Sequence, residues 1–371
     1  MKKRVLISGG AGFIGSHLTD ELIAHGYEVR ILDNLLPQVH GENADWPDYL
    51  HPEAELLKGD VRSREDLKRA LHEVDVVYHL AARVGVGQSM YQIQEYMDVN
   101  DCGTAVLLEM LAKNPVEKLV VASSMSIYGE GLYQNASGKI YHNQQRSLDQ
   151  LKNGQWELSM GEVELQPIPT PESKKPALES VYALSKYDQE RLALICGQAY
   201  DIPTVALRFF NVYGTRQALS NPYTGVLAIF ASRFLNDKPP LIFEDGQQKR
   251  DFVHVKDVAQ ACRLAMEKDE ARNEVFNIGS GHAYTVSEIA ERIGATMQKE
   301  HIRPVINKKY RVGDIRHCFA DISKARQLLG YEPKVGFDQG LQELTDWLSE
   351  QIAVDQVDKA EKELADRGLT V

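Results

Sequence analysis

The sequence predicts an α/β protein built on a doubly wound parallel sheet with a smaller mixed α/β lobe attached. Three observations carry that expectation. Short β-branched runs alternate with segments of helical hydrophobic period as far as Arg208, a glycine-rich turn joins the first run to the first helical segment, and the elements beyond Arg208 become shorter and mixed.

In chain order, Arg4 to Ser8 is a short apolar run, and Phe13, Ile14, Leu18, Leu22 and Ile23 then repeat with the period of a helix. Glu28–Leu32 and Glu55–Lys58 read as strands, Arg64–His72 as a helix and Val74–His79 as a strand. A long helical pattern runs from Gln88 to Lys113, Lys118–Ala122 is a fifth strand, Glu179–Tyr200 a helix and Thr204–Arg208 a sixth strand. Alternation of this kind implies a parallel sheet covered on both faces. Later helices are expected near Val226–Asn236, Asp257–Lys268 and Val286–Gln298. Residues 1–208 are therefore read as one domain and 209–349 mainly as a smaller lobe, for which the motifs and resemblance given below imply cofactor binding and substrate binding respectively. Residues 350–371 are read as a charged C-terminal helix or tail, either a solvated surface helix or an oligomer contact. One segment breaks the alternation: residues 130–176 are polar, contain four glycines and end among four prolines, and loops of such length are usually functional or mobile.

Composition removes several classes. The 371 residues are 43% hydrophobic and 26% charged, as in an ordinary globular protein. With 42 Lys+Arg against 53 Asp+Glu the net charge is −11, and no dense basic block is present, so nucleic acid is not expected as a partner. The uncharged stretch Gln217–Ser232 is too short for a membrane span and contains Asn221, Pro222 and Gly225. Met1-Lys2-Lys3-Arg4 imitates the start of a signal peptide, but Val5-Leu6-Ile7 is too short an apolar core, so the mature chain is expected to begin here. Cys102, Cys196, Cys262 and Cys318 share no metal-ligand spacing; each is read as a small buried hydrophobe in a reduced cytoplasm, with no metal site.

Gly10-Ala11-Gly12-Phe13-Ile14-Gly15 satisfies G-x-G-x-x-G, with Gly9 before it. The string succeeds a strand, opens a helix, and is followed by Asp33 at the end of the next strand, 18 residues beyond Gly15. Together these are the fingerprint of a Rossmann-type dinucleotide site, in which glycines let the backbone approach a pyrophosphate and the carboxylate accepts the ribose hydroxyls. Asp33 repels a 2′-phosphate, and Asn34-Leu35-Leu36 offers no cation to bind one, so NAD is favoured over NADP. Downstream, Tyr182 and Lys186 stand at i and i+4 on one helix face. A phenol titrates near ~10 and becomes a base near neutrality only beside positive charge, which Lys186 and oxidised nicotinamide supply. Ser124 comes after the fifth strand at the edge where open α/β sheets bind ligands; its hydroxyl either shares a substrate proton with Tyr182 or satisfies its own turn.

These strings, with Asp60-Val61, His79-Leu80-Ala81-Ala82, Asn100, Arg208-Phe209-Phe210-Asn211-Val212-Tyr213-Gly214, Arg250-Asp251-Phe252-Val253-His254-Val255 and Arg311-Val312-Gly313-Asp314, resemble the extended short-chain dehydrogenase/reductase family. More narrowly, they resemble its NAD-dependent nucleotide-sugar epimerases and dehydratases, over roughly residues 3–345. The resemblance implies Ser124, Tyr182 and Lys186 as the catalytic trio, with Lys186 also holding the nicotinamide ribose. It implies Gly9, Gly10, Gly12, Phe13, Ile14, Gly15, Asp33, Asn34, Asp60, Val61, Leu80, Ala81, Ala82, Asn100 and Phe210 around the cofactor. Ser124, Asn211, Arg250 and Arg311 are implied as ligands of a nucleotide-diphospho-sugar, two guanidiniums suiting a diphosphate. A homodimer is implied too, with the Gln88–Lys113 and Glu179–Tyr200 helices available for it, while His17, His79 and His254 are read as packing residues.

The two residues after Ser124 narrow the reaction. Family dehydratases carry Asp-Glu there; this chain has Met125-Ser126, neither able to act as a carboxyl acid or base, so 4-epimerisation through a transient 4-keto sugar is expected over 4,6-dehydration. The strings 84–91 and 121–131 resemble a subgroup of 4-epimerases acting on dTDP-L-rhamnose. A UDP-glucose/UDP-galactose type of epimerase, a decarboxylase or oxidoreductase on a similar substrate, and a non-catalytic NAD sensor remain alternatives. Ser124 and Tyr182 are separated by 58 positions, far more than is usual in the family, and the intervening insertion is open to three readings: a lid, a sugar-selecting wall or a subunit contact.

Overall fold

Seven short runs rich in Val, Ile and Leu lie side by side, all parallel, in the order Val275–Ile278, Thr204–Phe209, Lys118–Ser124, Val76–His79, Arg4–Ser8, Glu28–Asp33, Glu55–Lys58. The computed structural model describes residues 2–41, 45–142, 144–161, 163–217, 225–310, 314–350 and 366–367. The central strands are buried on both faces, which is why they read as continuous apolar runs without alternation. One face packs Leu18, Leu22, Val258 and Ala265 against Val5, Ile7 and Val120; the other packs Leu67, Leu107, Leu111 and Ala193 against Leu6, Val77 and Leu119. Each such side chain contributes roughly 1.5–3 kcal/mol on burial. Strand order reverses between Arg4–Ser8 and Val76–His79, and at that switch point the carboxyl ends of the strands part to leave a crevice.

All six expected strands appear with ends within a residue or two of those predicted, and Arg4–Ser8 and Glu55–Lys58 match at both ends. The seventh, Val275–Ile278, is not among those expected. It returns from the stretch assigned mainly to the smaller lobe, pairs with Thr204–Phe209, and buries Phe276 and Ile278 in the main core. The Val255–Glu267 helix likewise covers the main sheet, with the Tyr78 hydroxyl donating to the Cys262 carbonyl at 2.9 Å. The smaller lobe keeps its own core, where the Val226–Leu235, Val286–Thr296 and Phe337–Ser349 helices meet through Phe230, Phe234, Ile289, Ile293, Leu341 and Leu344.

Two expectations are corrected. Gln88–Lys113 is not one helix: a turn at Val86–Ser89 gives way to Ile93–Tyr96, then a π-helical stretch Met97–Cys102, then Gly103–Lys113. The wider turn rotates Asn100 fully inward, where its side chain accepts from the Arg83 amide at 2.7 Å and donates to the Arg83 carbonyl at 3.1 Å. Cys102, expected buried, is exposed on the outer side of that stretch, although all four cysteines are free. Most of the predicted C-terminal helix lies outside the described residues.

The 130–176 insertion is an ordered subdomain. Leu132–Gln134 pairs antiparallel with both Gln166–Ile168 and Ile140–Tyr141, a short helix spans Leu148–Lys152, and Tyr133, Leu158 and Leu165 form a small core with Tyr141 against it. It closes onto the chain near the C-terminal end of the lobe, the Gly131 amide donating to the His317 carbonyl and the Thr170 amide to the Phe319 carbonyl, each at 2.8 Å.

Candidate active site

The crevice at the switch point is a cleft of about 430 Å³, within the range of small-molecule sites. Its floor is the glycine turn. Gly9 adopts φ +74°, and a side chain there would stand 2.8 Å from the Ala81 amide; one on Gly15 would stand 2.4 Å from the Gly9 carbonyl oxygen. These two glycines let the turn fold under the helix that begins at Phe13, leaving backbone N–H groups facing the cleft, a cradle suited to a pyrophosphate. Asp33 sits at the mouth of the next strand. Its carboxylate accepts from the Ala11 amide at 3.1 Å and the Leu35 amide at 2.9 Å, and burial pushes its pKa up against those two bonds. Asn34 donates to Asp60 at 3.1 Å, and Arg62 grips the same carboxylate at 2.9 and 2.8 Å, holding it at about 2.

Gly9, Gly12, Phe13, Ile14, Gly15, Asp33, Asn34, Asp60, Val61, Leu80, Ala81, Ala82 and Phe210 all line this cleft, together with Ser124, Tyr182 and Lys186. Two of the predicted cofactor residues do not. Gly10 points away, where a side chain would meet Ile31 at 2.8 Å, so its glycine serves the packing of turn on strand. Asn100 is buried behind the wall; besides fixing Arg83 it donates to the Ser185 hydroxyl at 2.9 Å, tying the wall to the helix of Tyr182. Sequence reasoning missed Arg83 and His40, which line the cleft: each keeps one buried ring or guanidinium nitrogen without a partner, and the His40 imidazole stands 3.7 Å from Asp33. Arg83 directly follows a recognisable string, yet neither residue type announces a ligand.

The reacting groups converge from two elements. Ser180 caps the Val181–Ala199 helix by accepting from the Ala183 amide at 3.1 Å, which starts the helix so that Tyr182 and Lys186 share the face toward the cleft. Burial pushes the Tyr182 phenol up, and a hydrogen bond with the Ser124 side chain pulls it down. Besides that bond to Tyr182, Ser124 satisfies its own turn: its oxygen accepts from the Ser126 amide at 3.2 Å and the Ser126 hydroxyl at 2.9 Å. Ser126, legible in the sequence only as a missing carboxylate, is the residue that orients Ser124. Burial lowers Lys186 to about 7, with Asp101 and Glu190 opposing the shift, and its ammonium donates to Gln189 at 2.6 Å. Behind it, Gln189 donates to Thr104 at 2.9 Å, and His79 bridges Thr104 at 2.9 Å and Ser8 at 2.8 Å. Burial holds His79 at about 3, so it is a neutral packing residue. A second buried chain runs beneath: Ser123 donates to Glu190 at 2.6 Å, Arg208 grips Glu190 at 2.9 and 2.6 Å, and Arg208 donates to the Tyr128 hydroxyl at 2.8 Å.

The substrate side is only partly assembled from predicted residues. Asn211 donates to the Asp251 carbonyl at 2.8 Å, and Arg250 donates to the Lys249 and Arg316 carbonyls at 3.0 and 2.9 Å and to that of Ile315; neither residue lines the cleft. Arg311 lies outside the described residues. What the sequence did not reveal is a buried ionic cluster beside Arg250. Arg316, fully buried, meets Asp245 at 2.7 Å, Glu244 at 3.0 Å and Glu157; Arg146 meets Glu244 at 2.8 Å; and His317 meets Glu157 at 2.9 Å. Burial opposes ionisation of Glu157, but hydrogen bonds from His317 and Arg316 prevail and hold it at about 2. Among the described residues no cluster of His, Cys, Asp or Glu could hold a metal ion, and no helix is long and apolar enough to cross a membrane.

Comparison with known proteins agrees with this geometry. Residues 5–148 and 159–279 match the model of the NAD dependent epimerase/dehydratase family. The chain is similar to a dTDP-L-rhamnose 4-epimerase of Burkholderia thailandensis, 35% identical over 94% of this chain and 96% of that one. It is also similar to the crystal structure of a Thermotoga maritima UDP-glucose 4-epimerase with UDP-glucose, at a TM-score of 0.76 and 32% identity over 94% of this chain and 99% of that one. A Thermus thermophilus UDP-glucose 4-epimerase in complex with NAD superposes at a TM-score of 0.73, with 30% identity over 94% of this chain and all of that one. With a switch-point cleft, a glycine cradle, a carboxylate at the end of the second strand and a Ser-Tyr-Lys set all in place, the chain belongs to the NAD dependent epimerase/dehydratase family, with NAD as its cofactor and isomerisation as its class of reaction.

Proposed function

We propose that the protein is a nucleotide-diphospho-sugar 4-epimerase, with dTDP-L-rhamnose and its C4 epimer, dTDP-6-deoxy-L-talose, as its substrate pair. The observation that carries the reading is the meeting of Ser124, Tyr182 and Lys186 in the wall of the dinucleotide cleft with no carboxyl acid or base beside Ser124. Bound NAD supplies a reversible hydride acceptor. Tyr182 takes the proton of the sugar's C4 hydroxyl, and Ser124, oriented by Ser126, hydrogen-bonds the same oxygen. The Lys186 ammonium, lowered to about 7 by burial against the opposing charges of Asp101 and Glu190, stabilises the phenolate that burial alone disfavours. Once the 4-keto sugar has turned over, Tyr182 returns its proton to the C4 oxygen while the hydride would come back to the opposite face of C4, which inverts that carbon with no net redox change. Arg250 is assigned to the diphosphate, because its guanidinium is hydrogen-bonded by carbonyls and its one carboxylate neighbour, Asp314, stands off at 3.7 Å. Similarity over nearly the whole length to a dTDP-L-rhamnose 4-epimerase supports the choice of sugar.

We further propose a cytoplasmic homodimer packed through the outer face of the Val181–Ala199 helix, where Leu184 and Ile195 stand 39% and 55% exposed. The test of function is incubation of the pure protein with dTDP-, UDP- and GDP-sugars, with products identified by NMR. Inversion at C4 without added cofactor is expected, with dTDP-L-rhamnose turned over fastest. Release of carbon dioxide or stoichiometric NADH instead points to a decarboxylase or oxidoreductase and overturns the proposal.

A further inference from the structure

We propose that the 130–176 insertion is a brace for substrate binding, in which Arg146 and Glu157 are positioning residues that fix the 314–317 segment and through it the guanidinium of Arg250. The inference rests on the assignment of Arg250 to the substrate diphosphate and adds to it the reason this chain carries the insertion.

The geometry runs in two steps. Arg250 is held by main chain: its guanidinium donates to the carbonyls of Ile315 and Arg316 as well as to its neighbour Lys249, with the Asp314 carboxylate 3.7 Å away. Carbonyl acceptors orient the planar fork while leaving its positive charge for an anion, so the fork points wherever 315 and 316 place their oxygens. Residues 314–316 belong to no helix or strand, and the pairing of His317–Cys318 with Lys249–Arg250 begins only after them. Their position is set from the insertion. Arg146 donates to the Asp314 carbonyl at 2.9 Å, and Glu130 accepts the amides of Arg316 and His317 at 2.6 and 3.1 Å. Glu157 takes the Arg316 guanidinium and, at 2.9 Å, the His317 ring.

Burial makes this a rigid arrangement. The side chains of Arg146 and Arg316 are 3% and 0% exposed and share the buried Glu244, a pairing that breaks only at a cost of several kcal/mol, while Glu157 closes the cluster from its partly exposed rim. A lid must open with each turnover; a segment fastened by buried charges on both flanks stays in place, so the insertion presets the fork before substrate arrives.

The experiment uses the full-length protein and the variants Arg146→Met, Arg146→Lys and Glu157→Gln, with calorimetric binding of dTDP and UDP, retained NAD, and kcat and KM for the best sugar substrate. The expected result is a loss of about tenfold in nucleoside diphosphate affinity and a matching rise in KM, with retained NAD and kcat within about twofold of the parent. Arg146→Lys keeps the charge beside Glu244 but not the fork that reaches Asp314, so it is expected to fold and still to show the KM effect. Unchanged dTDP and UDP affinity in the folded Arg146→Lys and Glu157→Gln proteins overturns the inference, as does a parallel fall in NAD retention and kcat, the mark of a merely structural role. Failure of the parent protein to bind either nucleoside diphosphate instead overturns the assignment of Arg250, which keeps the two failures distinct.

Discussion

The dinucleotide half of the site and the proposed substrate half around Arg250 are built by different means. Around the dinucleotide the wall is made of consecutive residues: the turn at 9–15, Asp33-Asn34, Asp60-Val61 and Leu80-Ala81-Ala82, each sitting at the carboxyl end of its own strand or just past it. Around Arg250, which does not itself line the cleft, single charged residues drawn from 130, 146, 157, 244–245 and 314–317 meet in a largely buried ionic cluster. The first design uses backbone donors and close approach, which local sequence specifies; the second uses side-chain charge whose partners are far apart along the chain.

Four substitutions probe that contrast, in descending order of effect. Tyr182→Phe is expected to lower kcat by about 10³-fold while NAD stays bound, measured by C4 inversion on NMR and by cofactor content after gel filtration. A variant with parental activity removes the phenol from the role of base. Arg316→Met leaves Glu157, Glu244 and Asp245 without their shared counter-charge and is expected to lower the unfolding free energy by about 3–5 kcal/mol in urea titration. Should it cost no more than a surface substitution, the substrate half is not held by the cluster. Asp33→Ala acts on the other half alone: NAD affinity falls about 10-fold to 100-fold and discrimination against NADP relaxes, with nucleoside diphosphate binding untouched. Preserved preference for NAD in a fluorescence titration counts against the ribose contact.

The smallest effect concerns Asp101, whose two carboxylate oxygens are buried without a hydrogen-bond partner behind Lys186. Burial and the charge of Asp188 raise it from 3.8 to about 7, with Lys186 opposing. Between those values the folded protein holds a proton that the unfolded chain releases, so the contribution to stability is complete at acid pH and is lost as pH rises through about 7. Asp101→Asn is therefore expected to stabilise the protein by about 1 kcal/mol at about pH 8, after allowance for solvent screening, and not at about pH 4. Equal unfolding temperatures of parent and variant at the higher pH contradict this.

The legibility of the molecule follows the same division. Strands such as Arg4–Ser8 and Lys118–Ser124 are readable because a buried parallel strand is a short apolar run with turn residues at both ends. Val275–Ile278 is the same kind of run, but it comes after the shift to mixed elements and is grouped with them by pattern alone. The break within 88–113 leaves hydrophobic period intact on both sides and involves no proline, so nothing in the pattern marks the π-helical stretch. Asn100 is recognisable as important, but its position in a string cannot say that it grips Arg83 from behind instead of facing the cofactor. The insertion reads as a long polar loop because its charges find partners more than 60 residues away, as Arg146 does with Glu244 and Arg316 with Glu157, and such pairs have no local signature.

The late return of Val275–Ile278 to the sheet has a consequence for biosynthesis. Until that strand emerges, a growing chain carries Thr204–Phe209 as an open apolar edge, hydrogen-bonded on one side only. At ordinary elongation rates of about 5–20 residues per second the exposed edge persists for several seconds, long enough for pairing with another nascent chain. Chaperone occupancy on ribosomes is thus expected to peak between release of the sixth strand and arrival of the seventh, and a fragment truncated ahead of Val275 should aggregate even though it contains every residue that lines the dinucleotide cradle.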